Sequence, residues 1–240
     1  MTWHPDMPVE YRDAIVTGDS RELATRIPDE SVDLVLTDPP FGIGFDYEGY
    51  TDDPAEYAKL VAWIAKECDR IIKPGGLCFV FQAQLRLRLT WPLFPDDSRI
   101  FAACKNFVQM RPTPVQYAYD PVVFWQKLGP RLLPVYRGRD YYIGNTANTN
   151  NRGANEAGWH ECPRPLDTCL YIVDSYSPPG GVVADFFMGS GTTAIAAKQT
   201  GRHFVGFEIR EDIAERAQRR SQKAQPPLLV LDPEQLPLAV

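Results

Sequence analysis

Apolar residues along the chain form two kinds of run, separated by short segments rich in glycine and proline. Short runs of β-branched and aromatic residues predict buried strands, because a strand covered on both faces carries few polar positions. Longer runs with apolar residues at steps of three and four predict amphipathic helices. The predicted strands are residues 14–17, 32–37, 77–81, 107–110, 122–125, 182–186 and 203–208. The predicted helices are residues 21–24, 54–72 and 166–176, one that begins at 194–198 and one that follows residue 208.

The order of these elements predicts an α/β fold. Strand 32–37, helix 54–72 and strand 77–81 follow one another without a hairpin turn, which indicates a right-handed parallel crossover. A later helix lies between two strands in the same way. A chain of 240 residues with 44% hydrophobic content can bury one sizeable core. We therefore expect a single domain over residues 1–240, built on a mostly parallel twisted sheet with helices on both faces.

The segment 127–160 differs from the rest of the chain, because its periodicity is lost and Arg, Tyr, Asn and Gly are frequent. Between residues 84 and 164 there are eleven Lys and Arg against six Asp and Glu, although the whole chain carries a formal net charge of -6. Arginines interleaved with aromatic residues have the composition of a surface that contacts phosphates and stacks on bases, and equally that of a solvated loop. The candidate nucleic-acid contacts are Arg131, Arg137, Arg139 and Arg152.

Composition argues against several classes of protein. The five cysteines are odd in number and show no Cys-x-x-Cys pair, which argues against a disulfide framework and a zinc site. We expect no metal site. No window is long and apolar enough for a membrane span, and the first residues lack the basic and apolar regions of a signal peptide. We therefore expect a soluble, cytoplasmic protein without a membrane partner.

Strand 32–37 runs directly into Asp38, Pro39, Pro40 and Phe41. Proline cannot donate to a ladder, so the strand ends at Asp38. Open α/β sheets bind ligands at the carboxyl ends of their strands. A carboxylate, two free carbonyls and a ring at that position suit the binding of a flat base. Taken alone, the same run is equally compatible with a capped strand end and a turn.

A glycine-rich turn follows strand 182–186. Gly189 and Gly191 lie between this strand and a helix, where glycine lets a ligand approach the backbone and leaves helix N–H groups available. The next strand ends on Glu208, about 17 residues after Gly191, which resembles the acid that accepts ribose hydroxyls in nucleotide-binding crossovers. Asp19 follows the first strand, where helix capping explains an aspartate.

Together these motifs resemble those of the DNA methyltransferases that methylate amino groups with S-adenosylmethionine. Asp38–Phe41 matches the family's catalytic Asp-Pro-Pro-Tyr/Phe, and Asp185–Thr193 matches its cofactor loop. The catalytic motif precedes the cofactor motif, as in the family's beta arrangement. The resemblance implies a Rossmann-like class I methyltransferase fold with a permuted motif order, in which 127–160 is the target-recognition insertion. The chain departs from the pattern at Met188, where Ala is common, and at Arg164, where Lys is more usual.

The resemblance also implies a role for each matching residue. An exocyclic amine is a poor nucleophile and is out of reach inside a duplex, so the base must be flipped out. Asp38 and the Pro39 carbonyl would accept hydrogen bonds from the amine, and Phe41 would stack on the base. The catalytic residues implied are Asp38, Pro39, Pro40 and Phe41. The residues implied for S-adenosylmethionine are Asp19, Arg164, Asp185, Phe187, Gly189, Ser190, Gly191, Thr192 and Glu208.

The resemblance predicts an enzyme that methylates adenine N6 in double-stranded DNA, because Asp in the first motif position is typical of adenine enzymes and Ser is commoner in cytosine enzymes. Cytosine N4 is the nearest alternative, since both bases present a similar amine. The motifs are also compatible with a catalytically silent nucleic-acid-binding relative and with an enzyme that acts on RNA or protein. The expected location is the cytoplasm of a bacterial or phage-infected cell, and the sequence leaves open whether the enzyme is a homodimer.

Overall fold

The structure, a computed structural model, describes residues 3–44, 46–47, 50–51, 53–106, 114–130, 138–144 and 163–225. The strands are β1 (Ala14–Thr17), β2 (Val32–Thr37), β3 (Asp46–Tyr47), β4 (Tyr50–Thr51), β5 (Ile72–Phe81), β6 (Arg99–Lys105), β7 (Tyr119–Gln126), β8 (Tyr141–Gly144), β9 (Val182–Asp185) and β10 (His203–Glu208). The α-helices are α1 (Ser20–Leu23), α2 (Pro54–Ile71), α3 (Leu87–Thr90), α4 (Leu166–Tyr176), α5 (Thr192–Gln199) and α6 (Glu211–Lys223). Short 3-10 helices lie at Val9–Tyr11, Ala24–Arg26, Gln84–Arg86 and Trp91–Leu93.

Eight of the strands form one sheet in the order β1-β10-β9-β2-β5-β7-β6-β8. The pairs β5–β7 and β6–β7 are antiparallel, and the other pairs in this sheet are parallel. Among these eight strands β7 alone is therefore reversed. β3 and β4 form a separate antiparallel pair. The predicted mostly parallel sheet and the parallel β2–α2–β5 crossover are confirmed.

Alternate side chains of β2 face two different layers of helices, as the two-residue period of a strand requires. Val35 packs in one core cluster with Ile64 of α2. Leu34 and Leu36 pack in a second cluster with Ile172 of α4 and with residues of α5 and α6. All six residues of β2 are buried, which explains its near-continuous apolar sequence. The prediction of helices on both faces is confirmed.

The two strands of the main sheet that the sequence missed, β6 and β8, lie at its outer end. β8 is an edge strand, and only Gly144 of its four residues is buried, so it lacks the apolar signal of a core strand. β6 begins with two exposed residues, so its apolar signal is weak as well. β5 begins at Ile72, directly after α2 and five residues before the predicted start, with a shift in its register against β2. The predicted strand at 107–110, and most of the segment 127–160, lie outside the described residues.

Two further findings concern the described residues only. None of their helices is both long enough and apolar enough to cross a membrane. Their four cysteines are free, and those at positions 68, 78 and 169 are buried.

Candidate functional site

A cavity of about 770 Å³ opens where the parallel strands end. It is lined by residues that follow β1, β2, β9 and β10, as expected for an open α/β sheet. The predicted site residues that line it are Asp19, Asp38, Pro40, Arg164, Asp185, Phe187, Gly189, Ser190, Thr192 and Glu208. Pro39, Phe41 and Gly191 do not line it, although their chain neighbours do. The fold thus brings both predicted motifs to one cavity.

The cavity has two ends that are built differently. The Asp38 end is formed by Asp38, Arg164 and the groups that bind them. The Glu208 end is formed by Asp19, Asp185, Glu208 and the glycine-rich loop 186–193. The Asp38 end carries the predicted catalytic motif, and the Glu208 end carries the predicted cofactor motif.

Glu208 is held at the end of β10 by backbone amides. Its Oε2 accepts a hydrogen bond from the Gly189 amide at 2.9 Å, and its Oε1 accepts one from the Arg210 amide at 3.0 Å. Burial raises the pKa of this carboxyl, while the backbone hydrogen bonds oppose that shift. An ionised carboxylate has about four lone-pair positions, so Glu208 can accept a hydrogen bond from a ligand hydroxyl in addition to those from the backbone.

The glycine-rich loop depends on two left-handed glycines. Gly189 has φ 50° and Gly191, the residue that caps α5, has φ 80°. A Cβ at Gly191 would lie 3.1 Å from the Cβ of Ala217, so this glycine also lets α5 approach α6 closely. The turn places the first turn of α5 beside the cavity, where its N–H groups are available to a ligand.

The Met188 side chain packs against Gly206 at the Glu208 end of the cavity. A Cβ at Gly206 would lie 1.9 Å from the Met188 Cε atom, so the methionine fills the space that glycine leaves on β10. Met188 is only 4% exposed. Its departure from the common Ala of the resembling family therefore has a local packing explanation.

Asp185 links the two motifs. Its Oδ1 accepts hydrogen bonds from the Thr37 hydroxyl at 2.8 Å and from the Phe187 amide at 3.0 Å. The Thr37 Oγ1 in turn accepts a hydrogen bond from the Phe186 amide. Burial raises the pKa of Asp185 to about 6. Thr37, the residue before Asp38, thus ties the end of β2 to the glycine-rich loop, a role that the sequence did not reveal.

Asp19 serves as the N-cap of α1 and also lines the cavity. Its Oδ1 accepts a hydrogen bond from the Arg21 amide at 2.9 Å, which confirms the capping interpretation. The Arg21 guanidinium binds the same carboxylate and lowers its pKa. Asp19 can both cap α1 and line the cavity, because α1 begins close to the carboxyl end of β1.

Asp38 is paired with Arg164 through both of its oxygens. Arg164 donates from Nε to Oδ2 at 2.5 Å and from Nη2 to Oδ1 at 2.7 Å. Its Nη1 donates to the Asp120 Oδ2 at 2.9 Å, and the Lys105 ammonium donates to the Asp120 Oδ1 at 2.8 Å. The sequence pointed to Arg164 only as a cofactor residue, and that assignment stays a prediction. Asp120 and Lys105 were missed because their meeting with Asp38 depends on strand direction.

Aromatic rings enclose the Arg164 guanidinium. Its central carbon lies 4.6 Å from the centre of the Phe81 ring and 5.3 Å from that of Phe41. These distances are within the range of cation–π attraction. Phe41, predicted to stack on a base, therefore also holds Arg164.

Other lining residues were not predicted. They include Arg21, Lys59, Trp63, Arg210 and Arg216. The side chains from α2 carry a weak signal, since Lys59 and Trp63 are four residues apart and share one face of a helix that follows the Asp-Pro-Pro-Phe motif. That spacing alone does not show that the face meets a cavity.

The predicted nucleic-acid contacts are described only in part. Arg139 is exposed just before β8, and its Nη1 donates to the Tyr141 hydroxyl at 3.1 Å. Its backbone is held by the hydroxyls of Tyr171 and Tyr176. Arg131, Arg137 and Arg152 lie outside the described residues.

Comparison with solved structures supports the fold. A DNA methyltransferase named PvuII, described as cytosine-N4-specific, aligns with a TM-score of 0.68 and 20% identity over 86% of this chain and 85% of that one. The M1.HpyAVI–SAM complex aligns with the same TM-score and identity, over 86% of this chain and 98% of that one.

Sequence comparison identifies the family. The Type II methyltransferase M.BglII of Bacillus subtilis is 28% identical over 85% of this chain and 68% of its own length. The putative methylase YubD of Escherichia coli K12 is 27% identical over 85% of this chain and 88% of its own length. The family model described as DNA methylase, for N6 and N4 enzymes, matches residues 32–88 and 124–219, more than half of the chain. The protein therefore belongs to the N6/N4 family of DNA methyltransferases.

Proposed function

We propose that this DNA methyltransferase methylates the N6 amine of adenine in double-stranded DNA, with Asp38 as its principal catalytic residue. The observation that carries the proposal is the position of Asp38 in the same cavity as Glu208 and the glycine-rich loop. A methyl donor and an acceptor amine bound there would meet without any further rearrangement of the sheet. We propose adenine and not cytosine because the Asp-Pro-Pro-Phe motif begins with Asp, which is typical of the adenine enzymes that this chain resembles.

The Glu208 end suits S-adenosylmethionine, the methyl donor of this family. The cavity volume is within the usual range for a ligand of this size. Glu208 has lone pairs for ribose hydroxyls, and Asp19 is proposed to lie beside the adenine portion. The loop residues proposed to contact the remainder are Asp185, Phe187, Gly189, Ser190, Gly191 and Thr192. Bound S-adenosylmethionine supplies an electrophilic methyl group.

Asp38 and the Pro39 carbonyl activate the acceptor amine. The lone pair of an exocyclic amine is delocalised into the base, so the amine is a poor nucleophile. Hydrogen bonds from the amine to a carboxylate and a carbonyl localise that lone pair on nitrogen. Pro40 keeps the backbone from continuing as a strand, and Phe41 supplies an aromatic face for the flipped base. Catalysis then depends on position and charge, with no covalent intermediate on the protein.

DNA would approach on the Asp38 side of the cavity. Arg139 is exposed just before β8, beside the amino-terminal part of β6, so a phosphate bound there would lie away from the sheet edge that carries Asp38. Arg131, Arg137, Arg139 and Arg152 are proposed to contact phosphates, which would give the acidic protein a local basic surface. We propose that the segment 127–160 recognises the target sequence.

Cytosine N4 is the second candidate. The PvuII enzyme, named as cytosine-N4-specific, shares this fold, so the fold serves that reaction as well. The acceptors provided by Asp38 and Pro39 suit either amine.

The test is to incubate the protein with unmethylated plasmid DNA and S-adenosylmethionine, digest the DNA and identify the nucleosides by mass spectrometry. N6-methyladenine is the expected product. N4-methylcytosine would overturn the choice of base. No methylated nucleoside from a protein that binds S-adenosylmethionine would direct the search to RNA or protein substrates.

A further inference from the structure

Four charged side chains form a continuous chain of ion pairs at the Asp38 end. Asp38 is paired with Arg164, Arg164 with Asp120, and Asp120 with Lys105. Two carboxylates and two cations alternate, so the net charge of the chain is zero. These side chains are between 20% and 31% exposed, which weakens the screening of the pairs by solvent.

The topology of the sheet explains how these residues meet. Asp38 follows the carboxyl end of β2, and Lys105 ends β6, which runs in the same direction. Asp120 lies near the beginning of β7, and because β7 is reversed, its beginning reaches the same edge of the sheet. Arg164 comes just before α4. The single reversed strand therefore brings a second carboxylate to the site.

The geometry of the Asp38–Arg164 pair restricts the carboxylate. Two parallel N–H···O bonds from Nε and Nη2 hold a carboxylate in the plane of the guanidinium, which a lysine ammonium does not do. That plane is itself held by Asp120 and by the rings of Phe41 and Phe81. An ionised carboxylate has about four lone-pair positions, so two remain for a substrate.

We propose that Arg164 is a positioning residue, which orients the Asp38 carboxylate so that its remaining lone pairs face the acceptor amine, while Asp120 and Lys105 hold the guanidinium. The inference rests on the proposed role of Asp38 as hydrogen-bond acceptor. It assigns Arg164 to the chemical step and not to cofactor affinity. It also explains why the charged chain continues to β6, away from the cavity.

The experiment compares Arg164→Ala and Arg164→Lys with the parent enzyme. Single-turnover methylation of unmethylated plasmid DNA gives the rate constant, and calorimetric titration with S-adenosylmethionine gives the cofactor affinity. We expect Arg164→Ala to lower the rate constant by about 100-fold, the loss that a misplaced catalytic group produces. Cofactor and DNA affinities should stay close to those of the parent. The rate constant of Arg164→Lys should lie between those of the parent and Arg164→Ala, because lysine keeps the charge and loses the two-bond geometry.

Chemical rescue separates positioning from general destabilisation. Added guanidinium ion should raise the rate of Arg164→Ala and leave that of Asp38→Asn unchanged. Arg26→Ala is the matched control, because Arg26 also pairs with a carboxylate, Glu10, and also lies over an aromatic ring, that of Tyr11, while neither Arg26 nor Glu10 lines the cavity. It should not change the rate. If Arg164→Ala does not fold, Asp120→Asn provides the same test from the other side of the guanidinium.

The outcomes distinguish this inference from the proposed function. An unchanged or faster rate in Arg164→Ala, a loss confined to cofactor affinity, or a failure of guanidinium to reactivate the variant would overturn the positioning role. Full activity of Asp38→Asn would instead overturn the proposed role of Asp38.

Discussion

The Asp38 end and the Glu208 end of the cavity hold their carboxylates in different ways. Glu208 is bound by the amides of Gly189 and Arg210, and Asp185 by the Phe187 amide and the Thr37 hydroxyl. Asp38 is bound by an arginine side chain from a distant part of the chain. Asp185 and Glu208 are therefore held by backbone and neutral donors, whereas Asp38 is held by an ion pair; Asp19 combines a backbone amide with the Arg21 guanidinium.

The difference matches the two tasks. A cofactor site needs a fixed shape, and backbone amides keep their positions as long as the loop is folded. An acceptor amine needs a carboxylate that stays ionised and correctly oriented, and a guanidinium provides both charge and direction. Burial raises the pKa values of Asp185 and Glu208, and the hydrogen bonds that each carboxyl accepts only partly oppose that shift.

The largest expected effect is at the Asp38 end. Asp38→Asn keeps the size of the side chain and removes its charge, so the methylation rate constant should fall on the order of 10³-fold, as for the loss of other electrostatic groups at reaction centres. Affinity for S-adenosylmethionine should be nearly unchanged. Single-turnover kinetics and calorimetry measure the two quantities. A variant with parental rate would remove Asp38 from the chemistry.

At the Glu208 end we expect the reverse pattern. Glu208→Gln places an amide group against backbone N–H donors and removes the proposed ribose contacts, so the affinity for S-adenosylmethionine should fall about 10- to 100-fold. The rate constant at saturating cofactor should change much less. Glu215→Gln, on the exposed face of α6, is the control. If the loss in Glu208→Gln appeared only in the rate constant, the two ends would not be separate in function.

A third prediction concerns packing at the Glu208 end. Gly206→Ala should lower the free energy of unfolding by about 1–3 kcal/mol, because the new Cβ overlaps the buried Met188 side chain. In a Met188→Ala background the same change should cost little. Urea unfolding of the two single variants and the double variant measures this coupling. Equal losses of unfolding free energy in both backgrounds would show that the overlap with Met188 is not what destabilises Gly206→Ala.

The buried carboxyl of Asp185 predicts an effect of pH on stability. The pKa of Asp185 rises from 3.8 to about 6 on folding. Its contribution to stability is therefore fully present below the lower value and is lost as the pH rises through the upper one. Relative to Asp185→Asn, the parent should gain about 1 kcal/mol of unfolding free energy between about pH 7.5 and about pH 5. Urea unfolding at both pH values tests this, and a pH-independent difference would contradict it.

The smallest effect tests whether DNA contacts reach Arg139, which lies before β8 at the sheet edge opposite to Asp38. If Arg139 contacts a phosphate, Arg139→Ala should weaken DNA binding severalfold and reduce the slope of log K against log salt by about 0.9. Arg219→Ala is the control, because Arg219 is exposed on α6 and pairs with Glu215. Fluorescence anisotropy over a salt series gives both slopes. Identical slopes for the parent and Arg139→Ala would place the basic surface elsewhere.

The sequence alone determined most of the sheet and one end of the site. β2 and β10 have their predicted bounds because they are short, buried and apolar, and α4 because its apolar positions recur at helical spacing. The glycine-rich loop and Glu208 were predictable because their contacts are local or lie between neighbouring parallel strands. The same holds for Asp19, whose capping bond reaches two residues along the chain.

Only the tertiary structure decided what surrounds Asp38. Arg164 is 126 residues from Asp38 and 44 from Asp120, and no periodicity connects them. The contact of Arg164 with Asp120 depends on the reversal of β7, and that of Asp120 with Lys105 depends on the pairing of β7 with β6, whose first residues are exposed and give a weak strand pattern. Local propensity and apolar spacing determine elements and turns. An ion pair between distant segments forms only once the pairing and direction of the strands are fixed.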